Sequence, residues 1–175
     1  MIDEGAGAPL NRVRRRDRAV TDGAWIRAFL ARAPFGVLAL AVEGQPYAVA
    51  RNFAYDPAAH VLYLHGATQG RTYDTVQAND RVCFTVSEMG RLLPARRAAG
   101  LGVEYAGVVV FGRIRLVTEA EEAHRGLQLL CDKYFPDLQP GRDYEPTTDA
   151  DLQGTAVLRI DIECWSGKQK KVPDA

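Results

Sequence analysis

The hydrophobic period of the chain changes at Pro34, and that change restricts the fold more than any other feature. Before it, Trp25, Ile26, Phe29 and Leu30 recur at helical spacing behind Thr21 and Asp22, either of which can cap a helix to about Ala33. After it, period two returns in six stretches: Phe35 to Val42, Pro46 to Tyr55, His60 to Gly66, Arg81 to Ser87, Val103 to Val117 and Thr155 to Trp165. The last alternates well, with Ala156, Leu158, Ile160, Ile162 and Cys164 on one face and Arg159, Asp161 and Glu163 on the other. Glu43-Gly44-Gln45 reads as a short hairpin loop and Asp56-Pro57 as a turn. Gly70 to Ala78 reads as a short helix, and Thr118-Glu119-Ala120-Glu121 opens a longer one to about Tyr134. Six strands with mostly short connections and two or three helices predict a closed antiparallel barrel with helical decoration.

Two connections lack a clear period. Met89 to Gly102 holds Pro94, several glycines and the cations Arg91, Arg96 and Arg97, and is expected to be a loop or lid. Phe135 to Thr147, with Pro136, Pro140, Gly141 and Pro146, is expected to be irregular as well. Residues 1–20 read as a flexible arm, beginning with a mobile Met1 to Leu10; 21–168 read as the domain and 169–175 as a polar tail. Arg12, Arg14, Arg15, Arg16 and Arg18 form a basic cluster, suited either to an anionic partner or to plain solvation. Asp17 beside it and the overall charge favour solvation.

That charge is zero, from 22 Lys+Arg against 22 Asp+Glu, so no global field recruits nucleic acid or anionic lipid. No apolar run is long enough to span a bilayer, and no apolar segment follows the N-terminal charges as in a secretory signal. A cytoplasmic location is expected. Cys83, Cys131 and Cys164 are odd in number and widely spaced, which fits neither a disulfide framework nor a CxxC metal site; core packing is the expected role of each. His60, His65 and His124 are scattered, and no metal site is expected. GxSxG, HExxH, P-loop and dinucleotide-binding signatures are all missing.

One segment carries chemistry of its own. A strand ends at His65-Gly66, a small-residue turn follows, and Gly70-Arg71-Thr72 opens a helix, an arrangement suited to a phosphate monoester. Arg51 and Asn52 put polar groups before Phe53 in an apolar strand, either turned inward or lying at an exposed edge. The Tyr105 hydroxyl can face solvent or a ligand. Trp165-Ser166-Gly167-Lys168 ends the last strand with an aromatic plate, a flexible corner and a cation.

Taken in order, these pieces resemble the FMN-binding split barrels related to pyridoxamine 5'-phosphate oxidase, and within them the nitroimidazole-resistance (Nim) proteins. The resemblance runs from about Trp25 to Lys168 and is carried by Tyr63-Leu64-His65-Gly66 with Gly70-Arg71, Arg81-Val82-Cys83-Phe84, Glu104-Tyr105 to Phe111-Gly112, and the closing Trp165 to Lys168. Glu88-Met89-Gly90 to Leu93-Pro94 is similar to a loop of Nim proteins. The family fold is a six-stranded antiparallel split β-barrel. The resemblance implies a homodimer with FMN sites between the subunits. It makes Arg71, Thr72 and Lys168 candidates for the flavin phosphate, and Arg51, Asn52 and Phe53 for the isoalloxazine or ribityl chain. Gly66 lies in the same motif, Tyr105 would come from the facing subunit, and Trp165 would pack near the cofactor. His65 matches the family histidine beside the active site and is the candidate catalytic residue. Many relatives carry Lys after Gly-Arg and Ser after the Tyr, where this chain has Thr72 and Ala106.

The implied activity is electron transfer from NADH or NADPH to a small-molecule acceptor, nitroaromatic or quinone-like, through FMN. A non-catalytic flavin- or haem-binding module is the alternative. Oxidation of pyridoxamine 5'-phosphate is disfavoured, because Glu163-Cys164-Trp165 resembles the start of that enzyme's C-terminal signature and Gln169 to Pro173 does not complete it.

Overall fold

A computed structural model of the chain describes residues 9–173. Among them the period-two stretches form one antiparallel sheet of β1 (Ala19–Val20), β2 (Gly36–Val42), β3 (Gln45–Arg51), β4 (Ala54–Asp56), β5 (Val61–Ala67), β6 (Arg81–Leu93), β7 (Gly102–Leu116) and β8 (Thr155–Lys170). The helices are α1 (Gly23–Arg32), α2 (Arg71–Ala78), α3 (Ala120–Tyr134) and α4 (Asp149–Leu152). The class is that expected, a mainly β split barrel, but it has eight strands and not six. The stretch from Pro46 to Tyr55 breaks at Asn52-Phe53 into β3 and β4, and Ala19–Val20 adds a short strand on Lys168 and Gly167 of β8.

The sheet order is β3-β2-β6-β7-β8-β5-β4. Because β3 and β4 stand at opposite ends of that order yet are joined by Asn52 and Phe53, the chain itself closes the sheet. The β2–β3 hairpin turns on Glu43 (φ 50°) and Gly44 (φ 77°), the paired positive angles that match the twist of a two-residue loop.

The barrel interior is filled by alternate residues such as Leu38, Phe84, Val108, Val110, Leu158 and Ile160, and α1 adds Ile26, Phe29 and Leu30. Asp22 starts that helix by accepting from the Ala24 amide at 2.8 Å. A second cluster lies where α3 packs Ala123, Leu127 and Leu130 against Ala54, Val61, Tyr63 and Val157. Val61, Leu62, Tyr63 and Leu64 are therefore all buried, which accounts for an apolar run without alternation at that point.

Several expected boundaries move. Met89 to Leu93 and Gly102 are not a loop but the outer half of a β6–β7 hairpin, with Met89, Leu92 and Leu101 exposed. Glu104 clasps this arm to the C-terminal segment: it accepts from Arg91 Nε and Nη2, each at 2.9 Å, and from the Val172 amide at 2.7 Å. β8 runs on past Trp165 to Lys170, so Gln169 and Lys170 belong to the strand and not to the tail. The register shift between Phe111 and Gly112 leaves Glu163 without a partner on β7. That extra residue reverses the inward face, so Trp165 and Gly167 pack toward the barrel and Cys164 does not. Cys83, Cys131 and Cys164 are all half-buried, none in the core as expected. Of the expected arm, Arg16–Arg18 form a single helical turn leading into β1, while residues 1–8 lie outside the described residues. No helix among the described residues is long and apolar enough to cross a membrane.

Candidate functional site

Period two along β3 turns Tyr47, Val49 and Arg51 to one face, and β3 ends beside the end of β5. The chain leaves β5 through Gly66 and reaches α2 at Gly70, whose φ of 100° suits only glycine. Tyr47, Arg51, Gly66, Gly70, Arg71 and Thr72 thereby line a cavity of about 250 Å³ at the start of α2. Arg51 Nη2 donates to Thr72 Oγ1 at 2.7 Å, and the Tyr47 hydroxyl lies 3.4 Å from the same oxygen. The Arg71 guanidinium lies 5.2 Å from the centre of the Tyr47 ring. Arg51 Nε is buried and has no hydrogen-bond partner among the described residues. No carboxylate lines this cavity among the described residues, and the first amides of α2 have no helical acceptor. Two guanidiniums, hydroxyls and a helix start make an anion cradle.

The neighbouring residues on the same strand ends face a different space. Asn52 and His65, with Leu127, Leu130, Tyr134 and Phe135 among others, line a cavity of about 480 Å³ against α3. His65 is open to solvent on one side; partial enclosure by protein, and then the Arg51 charge, push its imidazole below its ordinary range. Tyr134 fixes the strand break beside it, donating to the Pro34 carbonyl at 2.7 Å and accepting from the Phe53 amide at 3.0 Å.

The remaining expected residues are elsewhere. Phe53 is wholly buried, its ring edge-on to Phe84 at 4.8 Å with Lys133 Nζ 3.6 Å from its centre and its amide and carbonyl both bonded to the Tyr134 hydroxyl, so it does not line the site. Trp165 packs against His60 at 4.6 Å and Tyr55 at 6.3 Å. Tyr105 and Lys168 share the far end of β7 and β8, Lys168 Nζ being 5.5 Å from the Tyr105 ring. Arg18 Nη1 donates to the Tyr105 hydroxyl at 3.2 Å; with Lys168 beside it, this holds the phenol below its ordinary range. Leu158 of β8 lines the cradle, and at about 3.3 Å per residue Lys168 lies roughly 30 Å farther along the strand. A single chain thus unites Arg51, Gly66, Arg71 and Thr72, sets Asn52 and His65 next to them, and keeps Tyr105, Trp165 and Lys168 apart. Tyr47 and Tyr134 were not anticipated. Tyr47 stands four residues before Arg51, so strand period alone could have found it; Tyr134 depends on how α3 docks.

Among the described residues no cluster of His, Cys, Asp or Glu could hold a metal ion. A family model described as pyridoxamine 5'-phosphate oxidase matches residues 22–169. No curated protein matches the chain. Similar solved structures include a candidate 5-nitroimidazole antibiotic resistance protein from Bacteroides thetaiotaomicron, 22% identical over 86% of each chain with a TM-score of 0.73. A flavocytochrome from Azotobacter vinelandii is 23% identical over 93% of this chain and 74% of its own, with a TM-score of 0.79. An FAD-binding protein from Mesorhizobium loti is 25% identical over 88% of this chain and 98% of its own, with a TM-score of 0.62.

Proposed function

The chain belongs to the pyridoxamine 5'-phosphate oxidase family, and on that premise we propose that it binds a flavin, FMN, and acts as an oxidoreductase of nitroimidazole-reductase type with NADH or NADPH as donor. The observation that carries this reading is the cradle: among the described residues Arg51 and Arg71 meet no carboxylate there, and Arg51 Nε is buried without a partner. A buried donor left unpaired costs roughly 1–3 kcal/mol, and a phosphate oxygen would remove that cost. Bound flavin supplies the two-electron chemistry.

The protein's own residues do the rest. Arg51, Arg71 and Thr72 hold the phosphate, and Gly70 and Gly66 leave room for it. Asn52 and His65 offer hydrogen bonds to the reacting end, and Leu127, Leu130 and Phe135 keep water from an acceptor lying over it. With its imidazole below the ordinary range, His65 is neutral near pH 7 and acts as a hydrogen-bond partner, not as a stored proton. Among the described residues no Lys or Arg lines this second cavity, so the phosphate of pyridoxamine 5'-phosphate finds no counter-charge there; an uncharged aromatic acceptor fits better. Tyr105 and Lys168 can reach a flavin in the cradle only from another copy, which supports a homodimer with the site between subunits, while Trp165 packs inside its own barrel.

The test is the visible spectrum of the purified protein before and after FMN is added and the unbound excess removed. Retained flavin bands, weakened in Arg71→Ala, are expected; no retention at high FMN overturns the reading. Retained flavin without oxidation of NADH or NADPH by any nitroaromatic or quinone would favour a non-catalytic flavin carrier.

A further inference from the structure

Six of the exposed large apolar side chains fall into two patches. One is the outer arm of the β6–β7 hairpin, where Met89 and Leu92 are each 73% exposed and Leu101 is 59% exposed. The other is the mouth of the acceptor cavity, with Phe135 on its wall and exposed Phe35 and Leu138 beside it. Phe35 and Phe135 directly follow Pro34 and Tyr134, which a hydrogen bond joins, and the Leu138 amide donates to the Phe135 carbonyl at 3.0 Å. The two patches carry opposite charge. Residues 89–103 hold Arg91, Arg96 and Arg97 and no carboxylate. Arg91 is paired with Glu104, but Arg96 and Arg97 make no side-chain hydrogen bond or ion pair among the described residues. Residues 135–148, beside the cavity mouth, hold Asp137, Asp143 and Glu145 against Arg142, which pairs with Asp143 at 2.7 Å. Asp137 and Glu145 have no such partner among the described residues.

The base of the arm stands close to the mouth on the same chain, since Val37 pairs with Thr85 and Arg32 reaches Glu88 at 2.6 Å. With arm and mouth adjoining, a two-fold pair of copies can bury each against its counterpart at once. Tyr105 pairs with Met89 at that base, so a copy that brings Tyr105 to the flavin brings the arm with it. At about 3.3 Å per residue, Leu101 reaches roughly 13 Å beyond Tyr105. The acceptor cavity lies next to the cradle, through the successive residues Arg51-Asn52 and His65-Gly66.

We propose that in the homodimer the arm of one copy lies across the mouth of its partner's acceptor cavity. Met89, Leu92 and Leu101 cover the apolar rim, and Arg96 and Arg97 stand beside Asp137 and Glu145 of the partner subunit. Leu92 and Leu101 then complete the cavity wall and limit the size of the uncharged acceptor. The use of that cavity rests on the flavin-dependent reading above; the contact between copies stands on the two patches.

Analytical ultracentrifugation of the full-length protein over a dilution series reads the contact without flavin or turnover. Wild type is expected to be a dimer. Arg96→Glu/Arg97→Glu should weaken self-association about tenfold or more, as should Asp137→Lys/Glu145→Lys, and the variant carrying all four changes should regain most of it. All four side chains are exposed, so the core is left intact. Monomeric wild type, unchanged association in either reversal, or no recovery in the combined variant overturns the proposal. A monomer that sediments with phosphatidylglycerol vesicles would overturn it too, and assign the arm to a lipid surface. In the dimer, Leu92→Ala/Leu101→Ala should raise KM for an uncharged nitroaromatic severalfold with kcat and flavin retention little changed; an unchanged KM removes the arm from the cavity wall. Charge reversals that behave as expected in a protein that retains no flavin would defeat the flavin reading and leave the interface standing. Retained flavin in a protein indifferent to the reversals would do the opposite.

Discussion

Two groups of arginines on the same barrel have opposite fates. On the outer face of β7 and β8, Arg159 Nη1 donates to Glu122 at 2.6 Å and Arg115 Nη2 to the same carboxylate at 2.8 Å, while Arg113 reaches Asp80 and Glu163 at 2.7 and 2.9 Å. Burial alone would push Glu122 up, but Arg159, Arg115 and the Tyr63 hydroxyl hold it at about 2. In the cradle, Arg51 and Arg71 face a hydroxyl, an aromatic ring and open space. Residue type is the same, and Arg51 shares the strand setting although Arg71 opens α2. What differs is whether a carboxylate lies opposite, and that marks one group as structural and the other as a place for an anion.

Replacing one residue from each group sharpens the contrast. Arg71→Ala should weaken FMN binding about ten- to a hundredfold, the worth of one charge-assisted hydrogen bond at about 1.5–3 kcal/mol, with little change in melting temperature. Flavin fluorescence titration beside a thermal melt would show both. Glu122→Gln should do the reverse, destabilising by about 1–3 kcal/mol while leaving flavin affinity alone. Its folded-state carboxyl lies below the ordinary value, so its contribution is present above about 4.5 and is lost as pH falls toward 2. Denaturation curves of variant and wild type should therefore converge in acid.

Lys133 offers a third kind of cation, its Nζ buried with no hydrogen bond among the described residues and held at about 8 by burial. Lys133→Met should stabilise by about 1 kcal/mol, raising the melting temperature by a few degrees at pH 7. Burial penalises the charged amine most fully below pH 8 and less toward 10.5, so the advantage of the variant should shrink over that range. The smallest effect is expected at His65. Its folded-state value is depressed, so wild type should lose a little stability relative to His65→Gln as pH falls through about 6.5, a change kept small by solvent screening of this exposed ring. Urea titrations at pH 7.5 and 5.5 would detect it; an unchanged gap would mean that His65 is not perturbed.

Much of the barrel was legible because strand alternation and helix caps are local signals. Asp22 caps α1, Glu43-Gly44 turns the first hairpin, and β7 runs almost where its period puts it. The hairpin arm from Met89 to Leu93 was not legible, since exposed strand beyond a barrel has no buried face to impose a period. Within the candidate site, Arg71 and Thr72 were visible from the Gly-Arg-Thr helix start. Arg51 could be read equally as a surface edge, because nothing near it in sequence names its partner.

The sequence by itself determined the period change at Pro34, the β class and the turn that opens α2, since each depends on residues a few positions apart. Only the tertiary structure decided that Glu163 bulges and reverses the face presented by Trp165, that Lys168 stands far along β8 from Arg71, and that Arg51 meets Thr72 and not a carboxylate. Those outcomes follow from the register of strands distant in sequence. A shift of one residue turns a side chain to the other face, and no local pattern records which side chain it will meet there.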